Sequence, residues 1–398
     1  MPRPARRELT RPMGAEPLPR RLDAVTPDWL TRLLGQRWPG IVVHAFDEIE
    51  CKNSHTTKLR VRLQLNDVGV AAGIPEQVCL KANWSGMKTG EITEREARFY
   101  GLMRDSLECP IPHSYFADWD TDGSGNGIVM MEDLAVSPGR FGASSDQLGI
   151  DGVAAGLETL AHVHGLLWND QRLTTYDWLP HSMGTGNDTE QVIQYWHYIQ
   201  FNLSDSAYSA VVPRWVYDTP ELMHHALDEL SAWEVGQTGP RCLVHGDAHQ
   251  GNSFLRADGQ RIWVDWQLVR RGTPFRDVSY FIVSSLTVEE RRSADRDLVE
   301  HYRQALLATG AQGVPGRDEA WQQFVRWPAY GTQAWLGNIN IWGQSSGADM
   351  VQRHFAASED YDTVGILTKG KLPRRQFVPG ESAYRLPRQL QQQLDERP

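Results

Sequence analysis

The hydrophobic pattern of this chain changes period once, near Leu134, and that change constrains the fold more than any other feature. Ahead of it, Leu59, Val61, Leu63 and Leu65 alternate with Arg60, Arg62 and Gln64, the two-residue repeat of a half-buried strand. Phe46–Cys51 and Val78–Lys81 also read as extended, and two more strands flank the turn-rich run Asp122–Gly127. Within this front part only Thr93–Arg104 has helical spacing, with Ala97, Tyr100 and Met103 on one side. Strand, strand, strand, helix, strand, strand predicts a small antiparallel sheet with one helix. Behind Leu134 the spacing is helical. Asp151–Trp168 has an apolar face through Val153, Leu157, Leu160, His164 and Leu167, and Thr287 with Glu290 forms a capping box for a helix to Gly310. One β patch interrupts this half: Leu243-Val244, Ser253–Leu255, an Asp258-Gly259 turn and Ile262–Val264. The expected fold class is α+β, with a front unit over 25–134 and a larger, mainly helical unit over 135–398 that ends in a polar tail.

A chain of 398 residues has material for two such units. Its net charge of −10 disfavours nucleic acid or an anionic membrane as the main partner. Cys51, Cys79, Cys109 and Cys242 are far apart with no CxxC pair, which excludes a thiolate zinc site and a disulfide scaffold and suits a reducing, cytoplasmic setting. No apolar run approaches the roughly 18 residues needed to cross a bilayer. Residues 1–24, rich in Arg and Pro with little to bury, read as a disordered tail, and order is expected from Thr26-Pro27-Asp28, an N-cap followed by a first-turn proline.

Chemistry concentrates in His245-Gly246-Asp247-Ala248-His249-Gln250-Gly251-Asn252 and in Val264-Asp265-Trp266. Asp247, Asn252 and Asp265 stand at strand ends, and the intervening hairpin is expected to gather them. Three oxygen donors, two of them anionic, suit Mg²⁺. Phosphoryl transfer needs such a set: one carboxylate to orient the attacking hydroxyl, and an amide and a carboxylate for the metal. A second reading takes His245, Asp247 and His249 as an HxDxH ligand cluster of a metal-dependent hydrolase. A third is a kinase-like binding module without catalysis. No GxSxG elbow supports a serine hydrolase.

HGDxxxxN followed by a VDW strand end resembles the aminoglycoside phosphotransferase and choline kinase relatives of the protein kinases. The variant HGDxHxGN is nearer the bacterial and ecdysteroid-kinase-like branch, and the resemblance runs over roughly residues 40 to 370. It implies a bilobal protein-kinase-like fold and transfer of the γ-phosphate of ATP, or alternatively GTP, to a small-molecule alcohol with Mg²⁺. By that resemblance Asp247 is the catalytic base or orienter, His245 braces its loop, and Asn252 and Asp265 are the metal ligands. Lys81 and Glu96 form the pair that holds the α- and β-phosphates, with Glu91 and Glu94 as competitors for the helix role. The backbone of Glu132 and Leu134 pairs with adenine. The phosphate loop departs from the protein-kinase pattern: Lys52–Thr57 has no GxGxxG, and Ser54 and Thr56 are the candidate donors there. Asp277 is expected to accept backbone hydrogen bonds from the catalytic loop, and His249 to pack or support it. His162 and His164 are expected in the core or bracing a loop. Tyr195, Trp196, Tyr198, Trp215, Trp321, Trp327, Tyr330, Trp335 and Trp342 together suggest an apolar cleft for a largely hydrophobic or antibiotic-like acceptor. Glu359, Asp360 and Asp362 are either an acidic patch for a cationic acceptor or a solvated turn.

Overall fold

The alternating segments pair as their patterning requires. In the computed structural model, which describes residues 16–84, 91–144, 146–181, 199–219, 221–337 and 344–371, β1 (Val43–Asn53), β2 (Thr57–Leu65), β3 (Gln77–Ala82), β4 (Ser114–Trp119) and β5 (Gly127–Glu132) form one antiparallel sheet. Its order is β1-β2-β3-β5-β4. Leu59, Val61 and Leu63 of β2 enter a core with Val78, Leu80, Ile128 and Met130. By the two-residue period, Lys58, Arg60 and Lys81 occupy the other face, and the register sets Lys58 directly opposite Lys81. The front helix keeps α geometry over Ile92–Arg98 only. It then widens into a π turn, Phe99–Met103, closed by the Arg104 N–H on the Phe99 carbonyl.

Order begins earlier than Thr26. The Thr26 hydroxyl caps helix Pro27–Gly35 by accepting the Trp29 N–H, and Trp29, Leu30, Leu33 and Leu34 are buried. Leu18 is also buried in that core, and its N–H donates to Asp120 Oδ1 at 3.0 Å. The indoles of Trp29 and Trp84 donate to the carbonyls of Pro17 and Pro19 at 3.2 and 2.9 Å. Residues 16–24 are therefore docked through Leu18 and two proline carbonyls, although Pro17, Arg20, Arg21, Asp23 and Ala24 stay exposed, and the expected tail is to that extent corrected. The remainder of the expected N-terminal tail, and the polar tail beyond Lys371, lie outside the described residues.

The described residues fall into two compact units, but the division is not linear. One unit lies within Met1–Arg140 and takes back Phe254–Val269, and the other comprises Phe141–Ser253 and Arg270–Pro398. The single β patch expected in the back half is two ribbons. β7 (Cys242–Val244) pairs with β10 (Arg270–Gly272), whereas β8 (Ser253–Arg256) and β9 (Arg261–Trp263) join β6 (Gly139–Phe141). Gly259, at φ +88°, closes the β8–β9 turn in a conformation that favours glycine. In the second unit every residue of helix Phe275–Ser285 is buried. A separate apolar core gathers Ile199, Tyr208, Tyr280, Trp335, Met350, Val351 and Phe355. The Thr287–Glu290 capping box is present at the start of helix Val288–Ala308. Thr287→Ala removes one half of that reciprocal cap, and chemical denaturation should show a loss of about 1 kcal/mol with an unchanged slope.

Candidate active site

In the first unit the chain turns sharply after β9, and Asp265 adopts φ +68°, a left-handed conformation costly for a residue with a side chain. The turn presents its carboxylate to two ammonium groups: Lys81 Nζ lies 2.6 Å from Oδ1 and Lys58 Nζ 2.9 Å from Oδ2. Lys81 also meets Glu96 Oε2 at 2.7 Å, and Glu96 Oε1 accepts the Trp266 N–H at 3.1 Å. Trp266 stacks on Phe99 with ring centroids 4.5 Å apart, so the π turn, the helix and the Asp265 turn are clamped together. Burial alone would push Asp265 up, but Lys58 and Lys81 more than offset it and hold the carboxyl well below its ordinary value. Burial would lower Lys81, yet Asp265 and Glu96 outweigh it and keep the ammonium charged. Of the three candidate helix acids, Glu96 is the one that reaches Lys81, while Glu94 pairs with Arg98 at 2.7 Å.

Ser54 and Thr56 form the β1–β2 turn. The Ser54 N–H and hydroxyl both donate to the Thr56 carbonyl, at 3.0 and 3.2 Å, which closes the turn on itself. Glu132 ends β5, with its N–H on the His113 carbonyl and its Oε1 accepting the His113 N–H at 2.7 Å. Leu134 is buried beside Phe254 and Ile262.

In the second unit, the HGD segment leaves β7 through Gly246 at φ +86°, and the fully buried Asp277 holds the loop from below. Asp277 accepts the N–H of His245 at 2.7 Å, the N–H of Gly246 at 2.9 Å and His164 Nε2 at 3.2 Å. Because an ionised carboxylate only accepts, His164 carries its proton on Nε2, and its Nδ1 faces the Tyr302 hydroxyl at 2.8 Å. Burial raises Asp277, but the His164 hydrogen bond and charge, with His245 and the Gly246 N–H, hold it below the usual range. Arg276, missed in the sequence, is the other clamp: buried against Tyr330 at 4.1 Å, it donates twice to the Gly246 carbonyl, at 3.0 and 2.6 Å. So braced, the loop presents Asp247, and the Asn252 amide donates to the Asp247 carbonyl at 3.0 Å and to its Oδ2 at 2.9 Å. Both Asn252 N–H groups are thereby committed, which leaves the amide oxygen as the donor for a cation.

The HxDxH hydrolase reading does not survive this geometry. His245 Nδ1 accepts the Asp247 N–H, and His249 Nδ1 accepts the Gly251 N–H. Among the described residues no group of three or more His, Cys, Asp or Glu side chains is arranged to hold a metal. The Asn252 amide oxygen is a donor of the type that a hard cation such as magnesium takes. His164 braces the loop, whereas His162 is exposed beside Glu158 and His301, away from the expected core. Trp327 and Trp335 are packed as core, as are Tyr280 and His354. Tyr195, Trp196, Tyr198 and Trp342 lie outside the described residues. Asp360 is tied to Arg291 and Arg292, so it is no open anionic patch.

A sheet-borne Lys–Glu pair, a braced Asp-x4-Asn loop and an aspartate at a left-handed turn define a kinase-like phosphotransferase. A solved structure shares the fold, and others align with the chain. A Ralstonia eutropha protein provisionally described as an aminoglycoside phosphotransferase aligns with a TM-score of 0.51 at 12% identity, over 84% of this chain and 97% of that one. A choline kinase from Cryptosporidium parvum aligns at 0.49 and 10% identity, over 85% and 97%. The choline kinase LicA from Streptococcus pneumoniae aligns at 0.45 and 13% identity, over 84% and 99%. No curated protein matches the chain. Residues 97–312 match the ecdysteroid kinase-like family, over half of the sequence, and the chain belongs to that family. It is a phosphotransferase of the kinase type with a hydroxyl group as acceptor.

Asp277→Ala leaves two loop N–H groups and an imidazole without their acceptor and should cost about 3–5 kcal/mol. The carboxyl is depressed in the folded state, so its contribution is present above the unfolded value near 3.9 and is lost as pH falls. The stability difference between wild type and variant, measured by denaturation, should be flat from about pH 7 to pH 5 and shrink below about pH 4.

Proposed function

We propose that this protein is an ATP- and magnesium-dependent small-molecule kinase that phosphorylates an uncharged, largely apolar alcohol. The observation that carries this reading is the orientation of Asp247: its Oδ2 is held by the Asn252 amide on a loop whose own N–H groups are anchored on Asp277. A carboxylate so fixed can accept the proton of a hydroxyl as the hydroxyl oxygen bonds to the γ-phosphorus. The bond from that phosphorus to the bridging oxygen breaks, ADP leaves, and the proton stays on Asp247. Lys81, fixed by Glu96, supplies fixed positive charge for the α- and β-phosphates. Glu132 and Leu134 offer backbone groups to adenine, and Ser54 and Thr56 of the β1–β2 turn are the candidate phosphate contacts, once the Ser54 groups let go of the Thr56 carbonyl. Magnesium, with oxygen donors from Asn252 and Asp265, neutralises phosphate charge when bound. The protein works in the cytoplasm under this reading.

What speaks against a cationic acceptor is charge. Arg276 already covers the face of Tyr330, and Asp360 already carries two arginines, so neither offers a cationic acceptor a partner. The reading is tested by isothermal titration with ATP and Mg²⁺, followed by turnover on sterols, macrolides, amino alcohols and aminoglycosides. Asp247→Ala should lower turnover by at least about a thousandfold while ATP affinity stays within a few-fold of wild type. A variant that keeps turnover at saturating ATP overturns the role of Asp247, and a preference for polycationic acceptors overturns the acceptor class.

A further inference from the structure

Lys58 is not accounted for by the pairing of Lys81 with Glu96. β2 and β3 place two lysines directly opposite one another, an arrangement that repels unless an anion lies between them. Asp265 is that anion, one oxygen for each ammonium. The two lysines are not equivalent. The Lys81 side chain is 3% exposed and has two carboxylates, whereas the Lys58 side chain is 37% exposed and has Asp265 alone among its ion pairs. Lys81 is locked, and Lys58 is a long stem with one partner and access to solvent.

That partner is the carboxylate assigned to magnesium under the proposed function, on which this inference rests. A divalent cation and Lys58 draw on the same Asp265 oxygens, and a cation on Asp265 leaves the Lys58 charge in need of another anion. The turn just before Lys58 adds a second reason. Ser54, His55 and Thr56 carry side chains where a glycine-rich loop would let backbone amides approach phosphate closely, and the Ser54 N–H is already spent on Thr56. A partly exposed ammonium on the strand that follows can supply the charge that such a loop does not.

We infer that Lys58 is a second phosphate-binding lysine, one that rests on Asp265 and transfers to the polyphosphate of the nucleotide when magnesium takes that carboxylate. A rival account makes Lys58 a fixed counter-charge, needed only because Glu96 and Asp265 would otherwise share one ammonium. The two accounts differ in what they predict for ligands with and without a polyphosphate.

The test compares Lys58→Gln and Lys58→Arg with wild type by isothermal titration against Mg·ATP, Mg·ADP and adenosine, with thermal unfolding to show that each variant is folded. One lost charge-assisted contact should weaken Mg·ATP binding by roughly ten- to a hundredfold and leave adenosine within twofold. Lys58→Arg should restore most of the loss. Equal losses for Mg·ATP and adenosine, or no loss for either, would overturn the inference and leave Lys58 as a counter-charge. Wild-type protein that binds neither Mg·ATP nor Mg·ADP would overturn the kinase reading itself, and this inference with it.

Discussion

A carboxylate removed from water persists in its ionised form only if each oxygen finds a positive charge or a donor, and both units of this protein are arranged around one that does. In the second unit it is Asp277, whose oxygens take two backbone N–H groups and an imidazole. In the first it is Asp265, whose oxygens take two ammonium groups. Neither is decoration on a finished scaffold. Without Asp277 the residues after β7 lose the acceptor for two N–H groups and keep only Arg276 on the Gly246 carbonyl to hold the positive φ that turns Asp247 out of the strand. Without Lys58 and Lys81, nothing on the described sheet offsets the left-handed conformation of Asp265, a strain of about 1–3 kcal/mol.

The parts of this arrangement that rest on periodicity were readable from the chain. Alternation in β2 gives the buried and solvent faces of the sheet, and Thr287-x-x-Glu290 marks a helix start because both of its hydrogen bonds are local. The Asp-x4-Asn spacing was readable for a similar reason: its two side chains bond to one another within one short loop. The parts that depend on distant segments were not. Nothing local marks Lys58, and only the β2–β3 register together with the Asp265 turn shows it sharing an anion with Lys81. Nothing local marks Arg276 either, and its guanidinium is buried on Tyr330 and donates to the Gly246 carbonyl. A lysine opposite Lys81 on the neighbouring strand is itself a usable signal once the register is known, since like charges at opposed positions demand an anion between them.

Composition misled in two places, each for a physical reason. Proline and arginine around Leu18 suggested a segment with nothing to bury, yet proline carbonyls are good acceptors and two tryptophan indoles use them. The aromatic residues of the back half suggested a cleft, yet those described are mainly load on a core: Tyr280 packs against Trp335, Tyr330 and His354 at centroid distances of 6.5, 5.2 and 5.2 Å. An aromatic side chain covers more area than any other, so abundance alone reports how much surface a helical unit must bury before it reports a pocket.

Rigidity is distributed to match. Transition-state charge is stabilised best by groups whose orientation is settled beforehand. Asp247 is fixed through backbone atoms and one amide, Lys81 through two buried carboxylates, and Glu96 through the Trp266 N–H that the stacked Phe99 keeps in place. Each of these keeps at least one contact besides Asp265, Lys81 through Glu96 at 2.7 Å. Lys58 is the exception, because its single ionic partner is a carboxylate that a cation can claim. Under the proposed function, a site built wholly of locked charges would meet the negative charge of a nucleotide with no matching response. One ammonium on a long, half-exposed stem gives this site such a response without loosening the groups that must stay in place.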